Sequence, residues 1–516
     1  MSVSSEDRTA SEFVEVANRW PITISIMLAT VMNSLDTTIA NVALPHIQGS
    51  VQAGPEQIGW VLTSYIVSAA IMTPLTGWLA TGLGRKRLFL VSIGGFVAAS
   101  MLCGIATTLP ELVVFRLLQG VFGASLVPLS QAVLLDINPP EKHGQAMAIW
   151  GAGAILGPIL GPALGGYLTE NFSWRWCFYI NLPVGILAFL GVFLFVPHDR
   201  LEAAKRFDFL GFGMLTLFIG GFQMVLDRGP GEDWFSSTEI WTETILAAIG
   251  LWVFIAHTVT AEHPFFDRRL IADRNFVTAS AFGFFIGILL FSTMALLPPM
   301  MQVLLGYPVQ TSGLVSMPRG VGSFIAMFAV GQLVGRIETR LILFTGLCLN
   351  AVALWQMMHF DLSMTETPFL VAGFIQGLGV GLLFVPLSTL AFGTIPASLR
   401  AEGSAVFTLI RNMGSSVGIS IMQALLVANT QTMHASLAGK VIPTDPVVRD
   451  GLPAMFNPAT EGGLTALNNE ITRQATMVAY VDDFRLMLII TIACMPMLLL
   501  MRKPRRGLDS AHAAFE

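Results

Sequence analysis

The chain has 516 residues, of which 54% are hydrophobic and only 12% are charged. A soluble globular domain carries about 25% charged residues, so this composition excludes an ordinary water-soluble protein and indicates a chain surrounded by lipid. The formal net charge of −5 says little, because in a membrane protein the position of each charge matters more than the sum. The four cysteines lie in or beside apolar stretches and are predicted to be small hydrophobes, not disulfide or zinc ligands; they are Cys103, Cys177, Cys348 and Cys494.

Fourteen stretches have the roughly 20 apolar residues that a membrane-spanning helix needs. Residues 1–19 are polar and acidic, and the first apolar stretch is too long and has no cleavage-type end, which predicts a retained tail and not a signal peptide. The predicted spans are residues 21–42, 57–80, 88–107, 111–135, 145–168, 175–197, 208–226, 241–260, 276–299, 311–334, 341–358, 368–392, 403–428 and 483–501.

An internal repeat divides these spans into two halves of six. Three short motifs of spans four and five recur in spans twelve and thirteen at offsets of 257 to 259 residues, which chance similarity in a biased composition does not readily produce: Gln119-Gly120 as Gln376-Gly377, Val127-Pro128-Leu129-Ser130 as Val385-Pro386-Leu387-Ser388, and Gly144-Gln145-Ala146 as Gly403-Ser404-Ala405. Parallel repeats of this kind place a substrate site near the bilayer midplane, between the halves. The predicted parts are a tail (1–20), a six-helix bundle (21–197), an inserted helix pair (198–275), a second bundle with a long polar loop at 429–482 (276–501) and a tail (502–516).

The basic residues predict the orientation. With the N-terminus placed in the cytoplasm, the inner segments carry 19 Lys and Arg residues and the outer segments carry 5, while 4 lie in or at the edge of spans. Because positive charge favours the cytoplasmic side, both termini are predicted to lie in the cytoplasm, which requires an even number of spans.

Asp36 lies in the middle of the first span, with Asn33, Thr37 and Asn41 at helical spacing on its broad face. An ionisable residue at this depth costs about 2.5–3.5 kcal/mol on insertion scales and usually marks a functional position. Gain of a proton removes that charge, so Asp36 is predicted to take up and release protons. The alternative is a structural carboxyl group bonded to a neighbouring helix.

Two arginines within spans are further candidates. Arg116 shares a face of span four with Gln119, and it is predicted either to pair with Asp36 or to brace two helices through backbone carbonyls. Arg411 and its neighbour Asn412 give span thirteen a polar stripe that is a candidate lining of the substrate cavity. The other candidates for this lining are Gln376 of span twelve and, in the first half, Asn33, Thr37, Asn41 and Gln119. The position of Arg319 beside a proline leaves its role open.

A glycine ladder in span five predicts close approach to another helix. It repeats every four residues, with two prolines that remove backbone hydrogen bonds and allow bending: Gly153, Gly157, Pro158, Gly161, Pro162 and Gly165. This pattern is predicted to serve a helix that packs tightly, yet shifts, at the interface between the halves. The alternative is a static contact between small residues.

Together these motifs resemble the major facilitator superfamily, in its fourteen-span drug:proton antiporter branch, the EmrB/QacA family. The likeness rests on segments 35–45, 116–120, 153–166, 174–176, 181–183 and 226–237. It implies an all-α membrane protein of two six-helix bundles with two inserted helices, located in a bacterial inner membrane. Asp36 and Arg116 would then couple proton movement to export. The resemblance also implies an EmrA-type membrane-fusion partner and a TolC-type outer-membrane channel.

One motif departs from the superfamily. The loop between spans two and three usually reads Gly-x-x-x-Asp-Arg-x-Gly-Arg-Lys. Here Gly77, Gly84, Arg85 and Lys86 fit this pattern, but Thr81-Gly82 replaces the acid and the base. The acid that normally latches the cytoplasmic gate is therefore absent from this loop.

The sequence thus predicts multidrug efflux driven by the proton motive force, without a bound cofactor, metal or nucleic acid. The alternative is proton-coupled transport of one metabolite, such as a fatty acid or siderophore. No phosphate-binding loop for ATP and no catalytic cluster occurs in the sequence, which argues against an ATP-driven exporter and an enzyme. A membrane receptor or an uptake symporter fits the buried charges and the glycine ladder less well.

Overall fold

The computed structural model describes residues 18–53, 57–139, 142–197, 207–333, 336–441, 453–457 and 460–500. Within these residues the chain forms fourteen long helices. Their bounds are α1 Arg19–Ser50, α2 Trp60–Leu83, α3 Arg85–Ile105, α4 Leu109–Asp136, α5 His143–Asn171, α6 Trp176–Phe195, α7 Phe209–Arg228, α8 Thr238–Thr260, α9 Arg274–Leu304, α10 Val309–Leu333, α11 Thr339–Met357, α12 Thr367–Gly393, α13 Arg400–Ala438 and α14 Glu461–Cys494.

Local sequence signals fix several of these helix ends. Thr108 and Glu111 form a capping box at the start of α4, and the Asp273 side chain accepts a hydrogen bond from the backbone N–H of Phe276 at the start of α9. Gly84 separates α2 from α3 with a φ of 83°, a conformation that glycine adopts without strain. These caps satisfy backbone groups that would otherwise lack partners near the membrane surface.

Thirteen of these helices are long and apolar enough to cross a membrane. The exception is α14, which carries Asp482, Asp483 and Arg485 near its middle. Its apolar stretch continues beyond Cys494 as a 3₁₀ turn over Met495–Leu500, so the apolar length of the last span is shared between two elements.

The helix pairing repeats between the two halves. In the first half α1 packs on α5, and α2 and α3 pack on α4; in the second half α9 packs on α13, and α10 and α11 pack on α12. The halves meet where α5 packs on α10 and α2 packs on α13, which are equivalent pairs under exchange of the halves. The predicted architecture of two six-helix bundles is therefore present.

The inserted helices α7 and α8 pack on each other, and α7 also contacts α2 and α13 beside the interface between the halves. Two hydrogen bonds hold α7 in place: the Thr63 hydroxyl donates to the Asp227 carboxylate, and the Ser420 hydroxyl donates to the carbonyl of Leu226. These two hydrogen bonds join the inserted pair to both halves.

The prediction of a long polar loop at 429–482 is wrong for much of that segment. Helix α13 continues to Ala438, and α14 already begins at Glu461, where Thr460 caps it. The His434 ring and the Asn468 side chain are 3.1 Å apart, which joins the two extensions. Loss of hydrophobicity marks where a helix leaves the lipid, but the helix itself can continue because its backbone is satisfied internally.

Candidate proton-coupling and substrate site

Asp36 and Arg116 form an ion pair inside the first half. The Arg116 guanidinium donates from Nη1 to Asp36 Oδ2 at 2.7 Å, and the two side chains are 0% and 1% exposed. Of the two readings that the sequence left open for Arg116, the structure realises both, because its Nε also donates to the backbone carbonyl of Val61 at 3.1 Å. The arginine therefore links α1, α2 and α4.

Two side-chain amides complete the surroundings of the carboxylate. Gln119 of α4 and Asn181 of α6 donate to Asp36 Oδ1 at 2.8 and 2.7 Å. Asn181 also donates to the Ser100 hydroxyl of α3, 2.9 Å away. Three donors on two other helices therefore bond to the two oxygens of this buried acid.

Arg116 is held from the side of α2 as well. Its guanidinium lies over the Tyr65 ring at 4.4 Å and over Phe178 at 5.7 Å, within the range of a cation–π contact. The Tyr65 hydroxyl donates to the side-chain oxygen of Asn33 at 2.9 Å. Helix α2 therefore contacts the guanidinium through both a backbone carbonyl and an aromatic ring.

The three residues predicted to share a face of α1 with Asp36 have different surroundings in the structure. Asn33 bonds to Tyr65, the Thr37 hydroxyl donates to the Ser34 carbonyl of its own helix, and Asn41 is exposed. The acid itself lies among α1, α4 and α6 within the first bundle, not at the gap between the bundles. Sequence spacing missed Asn181 and Ser100, because neutral polar residues in an apolar span give no strong signal.

The glycine ladder of α5 packs on α1, not on the other half. A Cβ at Gly153, Gly157 or Gly161 would meet α1, and at Gly157 it would lie 2.4 Å from the carbonyl carbon of Ser34. The predicted place of the ladder at the interface between the halves is therefore wrong. The other face of α5 makes that interface, since Gly320 of α10 packs against Ile159. Because the glycines recur every four residues, they occupy one face of α5, and the opposite face of the same helix can pack on α10.

The remaining residues of the ladder are part of the same helix. Pro158 and Pro162 lie within the continuous helix α5, and the Gly165 carbonyl accepts a hydrogen bond from the Thr169 hydroxyl at 2.6 Å. This last hydrogen bond lies within α5.

The candidate residues of the second half lie on two helices. Gln376 of α12 is buried and donates to the Thr293 hydroxyl of α9 at 3.1 Å. Arg411 of α13 is half-buried, with its guanidinium 5.4 Å from the centre of the Phe384 ring, while the adjacent Asn412 is exposed. The polar stripe predicted for α13 is thus split between the protein interior and its surface.

An acidic side chain does contact the loop motif that differs from the superfamily pattern, but this side chain belongs to α4. Asp136 pairs with Arg85 of the first half and accepts a hydrogen bond from Arg400 of the second half at 3.0 Å. Close by, Gly77 lets α2 approach α13, since a Cβ there would lie 2.8 Å from the Cα of Glu402. The inference that the latch is missing is therefore corrected, because Asp136 supplies a charge that bridges the halves.

The last basic residue of the motif, Lys86, is buried, with its ammonium 5.8 Å from the centre of the Phe193 ring.

Two packed helical bundles around buried charges define a membrane transporter. The sequence profile of the Major Facilitator Superfamily matches residues 26–419, and the chain belongs to this family.

Relatives support this assignment over nearly the whole length. The chain is 33% identical to the multidrug export protein EmrB of Escherichia coli K12, with 90% of this chain and 91% of EmrB covered. It is 34% identical to the fatty acid resistance protein FarB of Neisseria gonorrhoeae, with 95% and 97% covered. The structure of the proton:xylose symporter XylE matches with a TM-score of 0.60 at 12% identity, covering 94% of this chain and 99% of XylE, which supports the fold.

Proposed function

We propose that this protein is a proton-coupled antiporter that exports hydrophobic and amphipathic compounds by alternating access. The observation that carries the proposal is the fully buried Asp36–Arg116 pair, braced by donors from two other helices. Such a pair is a poor means of stabilising a fold, because the cost of desolvating both charges offsets much of their attraction. Relatives of similar length that are named for multidrug export and for fatty acid resistance support the direction and the class of cargo.

The coupling follows from the contacts of α2. One end of α2 packs on α13 near Gly77, and its opposite end holds the Arg116 guanidinium through Val61 and Tyr65. When the halves rock against each other, α2 moves relative to α4 and draws Arg116 away from Asp36. The carboxylate then loses its strongest stabilising partner and binds a proton, and return of the guanidinium expels that proton on the other side.

The test is an Asp36→Asn variant in everted membrane vesicles that carry a pH gradient. We expect loss of gradient-driven uptake of a fluorescent amphipathic dye, while exchange of dye between the two sides at equal pH persists, because the neutral side chain no longer needs a proton. Asp361→Asn removes an acid from an exposed loop and serves as the matched control. Unchanged gradient-driven transport by Asp36→Asn would refute the coupling role.

Everted vesicles also decide between export and uptake. An exporter concentrates its substrate inside them, whereas an uptake symporter depletes it. The proposal places the protein in a bacterial inner membrane with both termini in the cytoplasm, as the distribution of basic residues predicts.

The fusion partner and the outer channel implied by the resemblance belong to the same proposal. The extensions of α13 and α14 beyond the apolar spans offer a helical surface for such a partner at the predicted outer side. Co-purification with an EmrA-type protein, with and without residues 429–438 and 461–475, tests this contact. Equal recovery of the partner in both cases would contradict it.

A further inference from the structure

In the second half, the positions equivalent to the acid and the arginine of the first half hold uncharged residues. At an offset of 257 residues, Gln119 and Asp36 correspond to Gln376 and Thr293. The geometry corresponds too, since Gln119 donates to Asp36 at 2.8 Å and Gln376 donates to Thr293 at 3.1 Å. At the same offset Gly373 stands where the first half has its arginine. The second bundle therefore keeps the amide of the site without its ion pair.

A cation enters this region from a different helix. Arg319 of α10 donates from Nη2 to the backbone carbonyl of Leu290 on α9 at 2.9 Å. Its backbone lies against Gly377 and its Cβ is close to Gly373, the position equivalent to Arg116. Among the residues that the structure describes, Arg319 contacts no carboxylate.

A second arginine, Arg411, packs on the same helix α9. The backbone of Arg411 packs on α9 at Gly287, one helical turn from Leu290. Its guanidinium lies over Phe384, and the Phe384 ring stacks on Trp150 of the first half with centroids 5.5 Å apart. Arg411 is therefore next to the interface between the halves. Its buried Nε has no hydrogen-bond partner in the described part of the chain, and no described acid pairs with it.

Both arginines lie deep in the bilayer. At about 1.5 Å per residue, Arg411 is roughly 17 Å along α13 from its start, and Arg319 is roughly 21 Å from the end of α10. The apolar core of a bilayer is about 30 Å thick, so the backbone positions of both arginines fall inside it. Two cations at this depth without an acid are costly, and a ligand anion would supply the missing charge.

We propose that Arg319 and Arg411 bind the anionic group of the exported compound, so that amphipathic carboxylates are the preferred cargo. This inference rests on the proposed export function and names its substrate class. The planar guanidinium matches a carboxylate through paired hydrogen bonds, and the aromatic surface of Phe384 and Trp150 suits the apolar part that follows. Proton coupling then belongs to the first half and recognition of the anion to the second.

The first test uses the unmodified protein in proteoliposomes that carry a pH gradient. Decanoate, decanamide and decylamine share one alkyl chain and differ in charge, and each competes with transport of a fluorescent amphipathic dye. We expect decanoate to inhibit at a concentration at least tenfold lower than the amide or the amine. Equal or stronger inhibition by the amide or the amine would overturn the proposal, whereas absence of any gradient-driven transport would instead refute the export function.

The second test asks whether the arginines carry the preference. In Arg319→Gln and Arg411→Gln we expect the tenfold preference for decanoate over decanamide to disappear, with partial rescue in Arg411→Lys. A purely structural brace would lower the amount of folded protein, measured by size-exclusion chromatography, but would leave the preference unchanged, and that result overturns the proposal. Lys440→Gln removes one exposed positive charge and is the matched control.

A lipid phosphate is a second source of an anion at this depth. Repeating the competition with increasing phosphatidylglycerol separates the two sources. A site for the transported carboxylate keeps its preference for decanoate at every lipid composition. Loss of the preference as the anionic lipid increases would assign the site to a lipid headgroup and contradict the proposal.

Discussion

Replacing Arg400 with glutamine tests whether the Asp136 carboxylate holds the two halves together at the end of the protein that is predicted to face the cytoplasm. Arg400 lies at the start of α13 and donates to Asp136 at the end of α4, at 3.0 Å. Arg85 pairs with the same carboxylate from within the first half. Arg400→Gln therefore removes the contact that crosses between the halves and leaves the contact within the first half in place.

The magnitude follows from burial. The side chains of Arg400 and Asp136 are 11% and 8% exposed, so solvent screens their attraction only weakly. A hydrogen bond to a charged group contributes about 1.5–3 kcal/mol, and each 1.4 kcal/mol is about tenfold in an equilibrium constant. We therefore expect Arg400→Gln to shift the conformational equilibrium about 10- to 100-fold toward the state that is open at this end.

Spin labels at Lys142→Cys and Arg336→Cys report the shift, because both residues are exposed and lie near the contact between α5 and α10 at this end. The four native cysteines are free and are replaced first. We expect a longer distance to gain population in Arg400→Gln. Arg269→Gln is the control, since it breaks an exposed ion pair with Asp267 on the same linker. A distance distribution identical to that of the unmodified protein would refute the gate role of Asp136.

Two further outcomes follow from the packing of α1. A Cβ on Gly157 would overlap the backbone of Ser34, so Gly157→Ala should destabilise the protein by about 1–3 kcal/mol, measured by thermal unfolding. A Cβ on Gly166 would have no atom within 4 Å, so Gly166→Ala should leave the stability unchanged. Equal unfolding midpoints of the two variants would contradict this. Loss of one donor to the ionised carboxylate, worth about 1.5–3 kcal/mol, should lower gradient-driven transport in Asn181→Ala by about tenfold or more with the KM for the dye unchanged. A change in KM alone would argue against a role of Asn181 in positioning Asp36.

The sequence was sufficient to predict the membrane spans and the repeat, and it offered pairing with Asp36 as one of two roles for Arg116, because buried charges and apolar length are strong signals. It did not place Asn181 at the acid, since the same residue reads equally well as an ordinary polar residue near a span end. It also assigned the glycine ladder to the wrong neighbour. Periodicity of four shows that a helix has a small face, but the helix that fills this face is a tertiary fact.

The second half contains the counterpart of that ladder. Gly414 packs against Phe284 and Gly418 against Ile288 of α9, as Gly153 and Gly157 pack against α1. At the offset of 257 residues found in the sequence motifs, Gly157 and Gly161 fall on Gly414 and Gly418, and Gly161 also packs against α1. The fixed offset therefore already pairs the small residues of the two helices.

The repeat therefore explains how one fold can divide two tasks. Where the packing face must be kept, both halves retain small residues against α1 and α9. Where the chemistry differs, the positions equivalent to Asp36 and Arg116 became Thr293 and Gly373, and Arg319 came close to the vacated place from another helix. Within the described residues, no carboxylate is hydrogen-bonded to Gln376 or Thr293, so the second half lacks the ion pair of the first. Cations without an acid in one half, together with an acid already paired inside the other half, are the charge arrangement expected when a proton and an anionic cargo use separate halves.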